Sequence, residues 1–335
     1  MIHIIKQKSL YNHPINQIRI KIFFKKYSFL IFIFLILKKI NFKMSIIDKI
    51  LETQELATLP PVAAKVLMLV ENENLDIREI SRVVETDPAL TIKLLRIANS
   101  PLYATYSEIT SVQQAIINLG LNRLVNIVIG VSIFSKLLLM KDKKSTELIE
   151  KFWWHSSCTA IVSKALAEKV NFKSKDYEFI GGLLHEIGKL AILQYDTNLY
   201  SKVISAVEFS NYTDLEAEEE IYGITHPEVG LSIANLWKLP IELTNIIGYH
   251  HNFESVNDTI GKEELAIVRI SDMLTEIWDA GFYEGIRSLS LKDTKEWKFL
   301  VTQKPELQDL DIEVFTFELE QEYENSRMFL QLISE

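Results

Sequence analysis

Gly181-Gly182-Leu183-Leu184-His185-Glu186-Ile187-Gly188-Lys189-Leu190 sets a histidine and a carboxylate side by side inside an otherwise apolar run. Both side chains are metal ligands by type. Neighbours on a regular helix point about 100° apart, so His185 and Glu186 reach a common centre only where the helix is irregular or an ion lies between their directions. Gly181, Gly182 and Gly188 bracket the pair and permit close backbone approach or a local break. Taken alone the pair is also compatible with a buried His beside a Glu that reaches water, so its meaning depends on the rest of the chain.

The rest of the chain is helical in pattern. Apolar residues make up 48% of 335, enough for a real core, while Gly (11) and Pro (8) are scarce. No strand-type alternation persists anywhere, which predicts an all-α fold. Cap signals punctuate the sequence: Leu59-Pro60-Pro61, Asp76 before Ile77, Asp87-Pro88, Ser111 before Val112, Gly120 after Leu119, and His226-Pro227. They predict helices over 46–56, from Pro61 to about Glu71, over 77–85, from Pro88 to Ala98, over 112–119, and from Asn122 to about Met140. Beyond the polar segment Lys141 to Ser145 the pattern predicts helices over 146–170, 176–195, 198–209, 214–222, from His226 to Trp237, from Pro240 to His250-His251, over 265–280, and one or two within 312–332.

Residues 1–43 differ from everything after them, holding nine of the 36 Lys and Arg and no Asp or Glu. The apolar run Tyr27 to Leu37 falls short of the ~20 residues that span a bilayer, and no small-residue cleavage site follows it. The preferred reading is a mis-assigned start with Met44 as the true one; a basic, apolar membrane anchor and a cytosolic tail are the alternatives. From Met44 onward 27 basic residues face 45 acidic ones, a formal charge of −18. Such a surface repels phosphate backbones, which argues against direct nucleic-acid binding and for proteins as partners. The single cysteine, Cys158, excludes an internal disulfide and a thiolate zinc cluster, and fits a reducing, cytoplasmic compartment. Any metal must therefore be held by His, Asp or Glu.

Five of the seven histidines lie between residues 155 and 251, each within or at the end of a predicted helix. In order they are His155, His185 with Glu186, His226 and His250-His251, followed by Asp272. Helical bundles project ligands inward in this way, and a mixed imidazole and carboxylate set suits Fe, Mn or Zn. The bland readings are a set of imidazoles satisfied by carbonyls, by Glu186 and by one another, an exposed Lys189, and a solvated acidic face over Glu216 to Glu220.

The order and spacing resemble the HD superfamily of metal-dependent phosphohydrolases, whose signature is a His, a His-Asp pair, further histidines and a distal Asp. Asp87-Pro88-Ala89-Leu90-Thr91, Leu94-Leu95-Arg96-Ile97-Ala98-Asn99-Ser100, Trp154-His155-Ser156, Gly182-Leu183-Leu184-His185, His226-Pro227-Glu228-Val229-Gly230, Trp237-Lys238-Leu239-Pro240 and His250-His251 narrow it to the HDOD (HD-related output domain) family. The resemblance covers roughly residues 50–275. It implies an all-α fold, an HD-like helical bundle over 145–285 with a smaller N-terminal helical subdomain over 45–140 and a C-terminal helical extension over 286–335. It also implies a bacterial signal-transduction output or scaffold role with an HD-like site that need not be catalytic.

By carry-over His155, His185, His226, His250, His251 and Asp272 match ligand positions, while Glu186 stands where the motif has Asp. One extra methylene displaces a bridging carboxylate by ~1.5 Å, which argues against a two-metal site and leaves the centre open to being a vestige. In an active site Glu186 and Lys189 would be the catalytic pair. The Gly-Tyr-Pro that marks the branch cleaving cyclic di-GMP is replaced here by Asn252-Phe253-Glu254-Ser255-Val256. A metal-dependent phosphohydrolase acting on a nucleotide or cyclic nucleotide, and a nucleotide sensor that does not hydrolyse, are the alternatives.

Overall fold

The computed structural model describes residues 38–52, 59–70, 76–103, 107–138, 146–172, 176–257, 260–323 and 326. Among these residues every regular element is helical and there is no strand. None of their helices is long and apolar enough to cross a membrane. The chain divides into two compact units, Met1–Lys49 and Ile50–Glu335. Most of the leader, through residue 37, lies outside the described residues, as do the boundary at 141–145 and the end of the tail. Helix α1 (residues 38–52) is already formed before the expected start at Ile46, since no Gly or Pro interrupts the run.

Within the second unit the N-terminal helices follow their caps. They are α2 (Pro61–Val70), α3 (Ile77–Glu85), α4 (Pro88–Ala98), α5 (Val112–Leu119) and α6 (Leu121–Leu138). The Asp87 carboxylate accepts the Leu90 N–H at 3.0 Å, and Ser111 Oγ accepts the Gln114 N–H at 3.2 Å. Asp76 caps α3 through the Arg78 N–H at 2.9 Å. Asn99 joins α4 to the following loop, its Nδ2 donating to the Leu95 and Ile109 carbonyls while Oδ1 accepts the Ile109 N–H.

The longest helix, α7 (Thr146–Lys169), is the axis of the remainder. Against it pack α8 (Tyr177–Leu184), α14 (Lys262–Thr275) and α16 (Ile312–Tyr323). Between lie α9 (Ile187–Tyr195), α10 (Thr197–Phe209), α11 (Asp214–Tyr222), α12 (His226–Leu236) and α13 (Ile241–Tyr249), with α12 packed on both α9 and α13. The N-terminal helices reach this bundle through α6, which lies against α8. Helix α15 (Lys295–Gln303), which the sequence did not reveal, buries Trp297 and Leu300. Lys295, Glu296 and Lys298 interrupt its apolar stripe, leaving too little periodicity to read.

Two glycines allow the bundle to close. A Cβ on Gly182 would lie 2.6 Å from the Ala160 Cα of α7, and one on Gly188 would lie 1.9 Å from the His226 carbonyl oxygen of α12. Alanine at 188 would gain about 1 kcal/mol of helix propensity, but overpacking costs about 1–3 kcal/mol and more where the obstacle is backbone. Gly188→Ala should therefore lower the thermal midpoint. An unchanged or raised midpoint in thermal unfolding would show that α9 and α12 do not meet this closely.

Candidate metal centre

The predicted helix over 176–195 is in fact two. After Leu184 the chain turns at His185 and Glu186, the latter with φ −93° and ψ 13°, and α9 restarts at Ile187. That break answers the geometric difficulty of adjacent ligands, because it lets the two side chains serve different centres. His155 comes from the middle of α7, His226 opens α12, His250 and His251 follow α13, and Asp272 lies in α14. A capping exchange fixes the start of α12, with Glu228 Oε2 accepting from Thr225 N–H at 2.9 Å and from its hydroxyl at 3.2 Å.

The seven candidate residues assemble into two sets. In the first, His155 Nε2 and His185 Nε2 are 3.2 Å apart and lie 3.3 and 3.4 Å from Asp272 Oδ1. In the second, His226 Nε2 lies 3.2 Å from His250 Nε2, 3.1 Å from His251 Nε2 and 3.0 Å from Glu186 Oε2. Glu186 therefore joins the second set and not the first. Its other oxygen, Oε1, is held by Lys189 Nζ at 2.5 Å.

The outward nitrogen of four of these five histidines meets a hydrogen-bond acceptor, and that of His251 lies in ion-pair range of a carboxylate. His155 Nδ1 is 2.9 Å from the Ala280 carbonyl, His185 Nδ1 2.9 Å from that of Gly182, and His250 Nδ1 3.1 Å from that of Ile246. His226 Nδ1 lies 2.8 Å from Glu218 Oε2 and His251 Nδ1 3.4 Å from Glu284 Oε1. Carbonyls and carboxylates only accept, so the hydrogen-bonded partners assign the proton of His155, His185, His226 and His250 to Nδ1 and leave a lone pair on each of their inward Nε2 atoms. Burial holds the imidazoles of His185, His226, His250 and His251 below their ordinary range, which keeps them neutral.

Lone pairs thus face lone pairs inside a dry core. Asp272 Oδ1 and Glu186 Oε2 are buried without a hydrogen-bond donor. Metal bonds of about 2.0–2.1 Å place neighbouring ligand atoms about 2.9–3.4 Å apart, and most of the separations above fall in that range. Charge points the same way. The carboxyls of Glu186, Asp214, Glu218, Asp272 and Glu284 are buried around the centre, with Lys189 and Arg269 as their paired cations. With neutral imidazoles, that shell is three charges too negative for a low-dielectric interior unless protons or metal cations balance it. Burial pushes the Glu218 and Glu284 carboxyls up to about 8, the protonic form of the same demand. The donor set fits divalent metal.

Two bland expectations are corrected. Lys189 is fully buried rather than exposed, its ammonium meeting Glu186 Oε1, Asp214 Oδ2 at 2.6 Å and the Phe282 carbonyl at 3.3 Å. Glu218 is not part of a solvated face. It turns inward, and its Oε2 accepts both the Nδ1–H and the backbone N–H of His226. The α11 helix buries that side because Asp214, Ala217 and Glu218 share it, a three-to-four spacing hidden by the acidic run around it. Sequence reasoning also missed Asp214, Arg269 and Glu284, whose importance lies in partners distant along the chain. Cys158 is buried, with a free thiol.

A family model described as HDOD domain matches residues 56–253. The chain belongs to the HDOD family. A curated relative, an uncharacterized protein of Treponema pallidum (strain Nichols), is 24% identical over 218 residues, 62% of this chain. The match covers only 39% of that relative's length. Among solved structures, an HDOD domain protein of unknown function from Geobacter sulfurreducens aligns with TM-score 0.69 at 23% identity, covering 87% of this chain and 99% of that one. A Shewanella amazonensis SB2B protein provisionally named a phosphohydrolase aligns with TM-score 0.62 at 21% identity, covering 86% and 98%. A Marinobacter aquaeolei VT8 protein provisionally named a signal transduction protein gives TM-score 0.59 at 19% identity, covering 83% and 60%. Likeness at these identities concerns the fold.

The inward turn of Glu218 has a measurable cost when removed. Glu218→Ala should destabilise the chain by about 2 kcal/mol or more, since it strands two buried donors, whereas Glu220→Ala on the exposed side of α11 should stay within about 0.5 kcal/mol. Denaturant unfolding of the two variants checks this, and equal small effects would return α11 to the solvated reading.

Proposed function

We propose that this HDOD protein is a signal-transduction output module that acts through protein contacts, with its two-part centre holding metal as a fixed element of the bundle rather than as a catalyst. His155, His185 and Asp272 would hold one ion, and Glu186, His226, His250 and His251 the other, with Fe, Mn or Zn as the fitting ions. A divalent ion in such a place supplies Lewis acidity and a more acidic bound water. The chain's own residues supply little else that a phosphoester would need.

The observation that carries this reading is the state of Lys189. Its ammonium donates to Glu186 Oε1 and to the Phe282 carbonyl and is ion-paired with Asp214 Oδ2 at 2.6 Å, so a phosphate oxygen would have to displace a buried carboxylate to reach it. Arg269 is likewise engaged by Asp272 and Glu284. His155, His185, Glu186, His226, His250 and Asp272 are each no more than 1% exposed, so a substrate would reach them only if the bundle opened. The complete donor sets favour a second reading, a metal-dependent phosphohydrolase, in which Lys189 would have to exchange a carboxylate for substrate.

Activity separates the two. Residues 44–335 loaded in turn with Mn(II), Fe(II) and Zn(II), and offered aryl phosphates, nucleotides and cyclic nucleotides, should release no more product than the His185→Ala variant. Metal-dependent hydrolysis abolished by His185→Ala would establish the phosphohydrolase, and a thermal shift with a nucleotide but no product would establish a sensor.

A further inference from the structure

The two ligand sets share one link outside the ligands themselves. Arg269 stands one turn before Asp272 on α14, and its Nη1 donates to Asp272 Oδ2 at 2.7 Å. Taking up that oxygen leaves Oδ1 turned toward His155 and His185. The other arm of the same guanidinium, Nη2, donates to Glu284 Oε1. That oxygen in turn lies 3.4 Å from Nδ1 of His251, whose Nε2 points into the second set. One planar fork thus touches a carboxylate that belongs to the first set and a carboxylate that backs a histidine of the second.

Glu284 is itself built into place. After α14 the chain passes through an irregular turn over Glu276–Ala280. Glu276 Oε1 then accepts the N–H groups of Glu284 at 2.9 Å and Gly285 at 3.2 Å. Gly285 has φ +91°, a left-handed conformation that other residues adopt at a cost. The side chains of Arg269, Glu284 and His251 are 11%, 7% and 7% exposed, so the fork lies where an otherwise sealed centre comes nearest to solvent. A simple stabilising ion pair would need neither the second carboxylate nor the imidazole beside it.

We propose that Arg269 and Glu284 are positioning residues that set the orientation of Asp272 and His251 together and so couple the two halves of the centre. Arginine suits this task because its two-armed planar group fixes both partners at once, which a lysine ammonium does not. Outer partners of this kind govern ligand direction, and losing one typically weakens metal binding 10- to 100-fold. The metal arm of the claim rests on the reading of the centre given above; the orientation arm does not.

Two measurements on the full chain test it. In equilibrium dialysis against Mn(II), Arg269→Lys should weaken uptake at both sites by about tenfold or more, and Glu284→Gln at one site only. Glu284→Asp should fall between Glu284→Gln and the unaltered chain, while Lys169→Ala, which removes the distant surface pair with Glu318, should change nothing. In chelator-treated protein, nitrogen NMR of the imidazoles should report His251 as the Nδ1–H tautomer. That preference should be lost in Glu284→Ala and in Arg269→Lys, with His226, which Glu218 holds, unchanged. If the unaltered chain takes up no Mn(II), the metal reading fails and the tautomer result still decides the positioning claim. A folded Arg269→Lys chain with an unchanged His251 tautomer, or with unaltered Mn(II) uptake at both sites, overturns it.

Discussion

Five imidazoles, four of them with their protons fixed outward, and two carboxylate oxygens turned inward meet in a buried space. The second unit is arranged around this convergence. The outward Nδ1 of His155, His185, His226 and His250 is fixed by a carbonyl or a carboxylate, so none of these four rings can flip to place an N–H in the middle without losing a bond at its back. An uncompensated arrangement of this kind would cost several kcal/mol, a large fraction of the stability of an ordinary domain. The bundle can hold it only with positive charge in the centre. Lys189 and Arg269 supply part of that charge, and the donor geometry asks for the remainder as metal.

The fold serves the same end through backbone proximity. Helix α7 brings His155 to the axis, and Gly182 lets α8 approach it closely enough for His185 to meet His155. Gly188 does the equivalent for α9 and α12, bringing Glu186 to His226. The break between α8 and α9 separates His185 from Glu186, so neighbours in sequence serve different sets. Lys189 holds Glu186 Oε1 while Oε2 faces His226. The centre thus consists of two sets with no shared carboxylate oxygen.

Much of this was legible in the sequence, for identifiable reasons. Helix starts at Asp87-Pro88 and Ser111 are local chemistry, decided within four residues, and the structure uses them as written. The ligand candidates were visible because histidines and carboxylates in a set order along and at the ends of helices form a rare combination. What stayed hidden depended on distant partners. Glu218 reads as surface because its neighbours are acidic, yet it faces His226 across a turn. Lys189 reads as exposed because lysine usually is, but Asp214 and the Phe282 carbonyl surround it. Arg269 and Glu284 lie 15 positions apart on either side of an irregular turn, a pairing no period reveals. Helix α15 lacked a readable stripe because charged residues interrupt its few apolar anchors.

The claim that cations complete this core is tested most directly by thermal unfolding of the chain with chelator and with a saturating divalent metal. At a free metal concentration about 100 times the dissociation constant, the folded state should gain about 2.7 kcal/mol, a rise of several degrees in the midpoint. His185→Ala should lose part of that rise and His185→Ala with His226→Ala nearly all of it. Equal midpoints with chelator and with Mn(II), Fe(II) or Zn(II) would contradict the account, and would mean that protons alone balance the buried carboxylates.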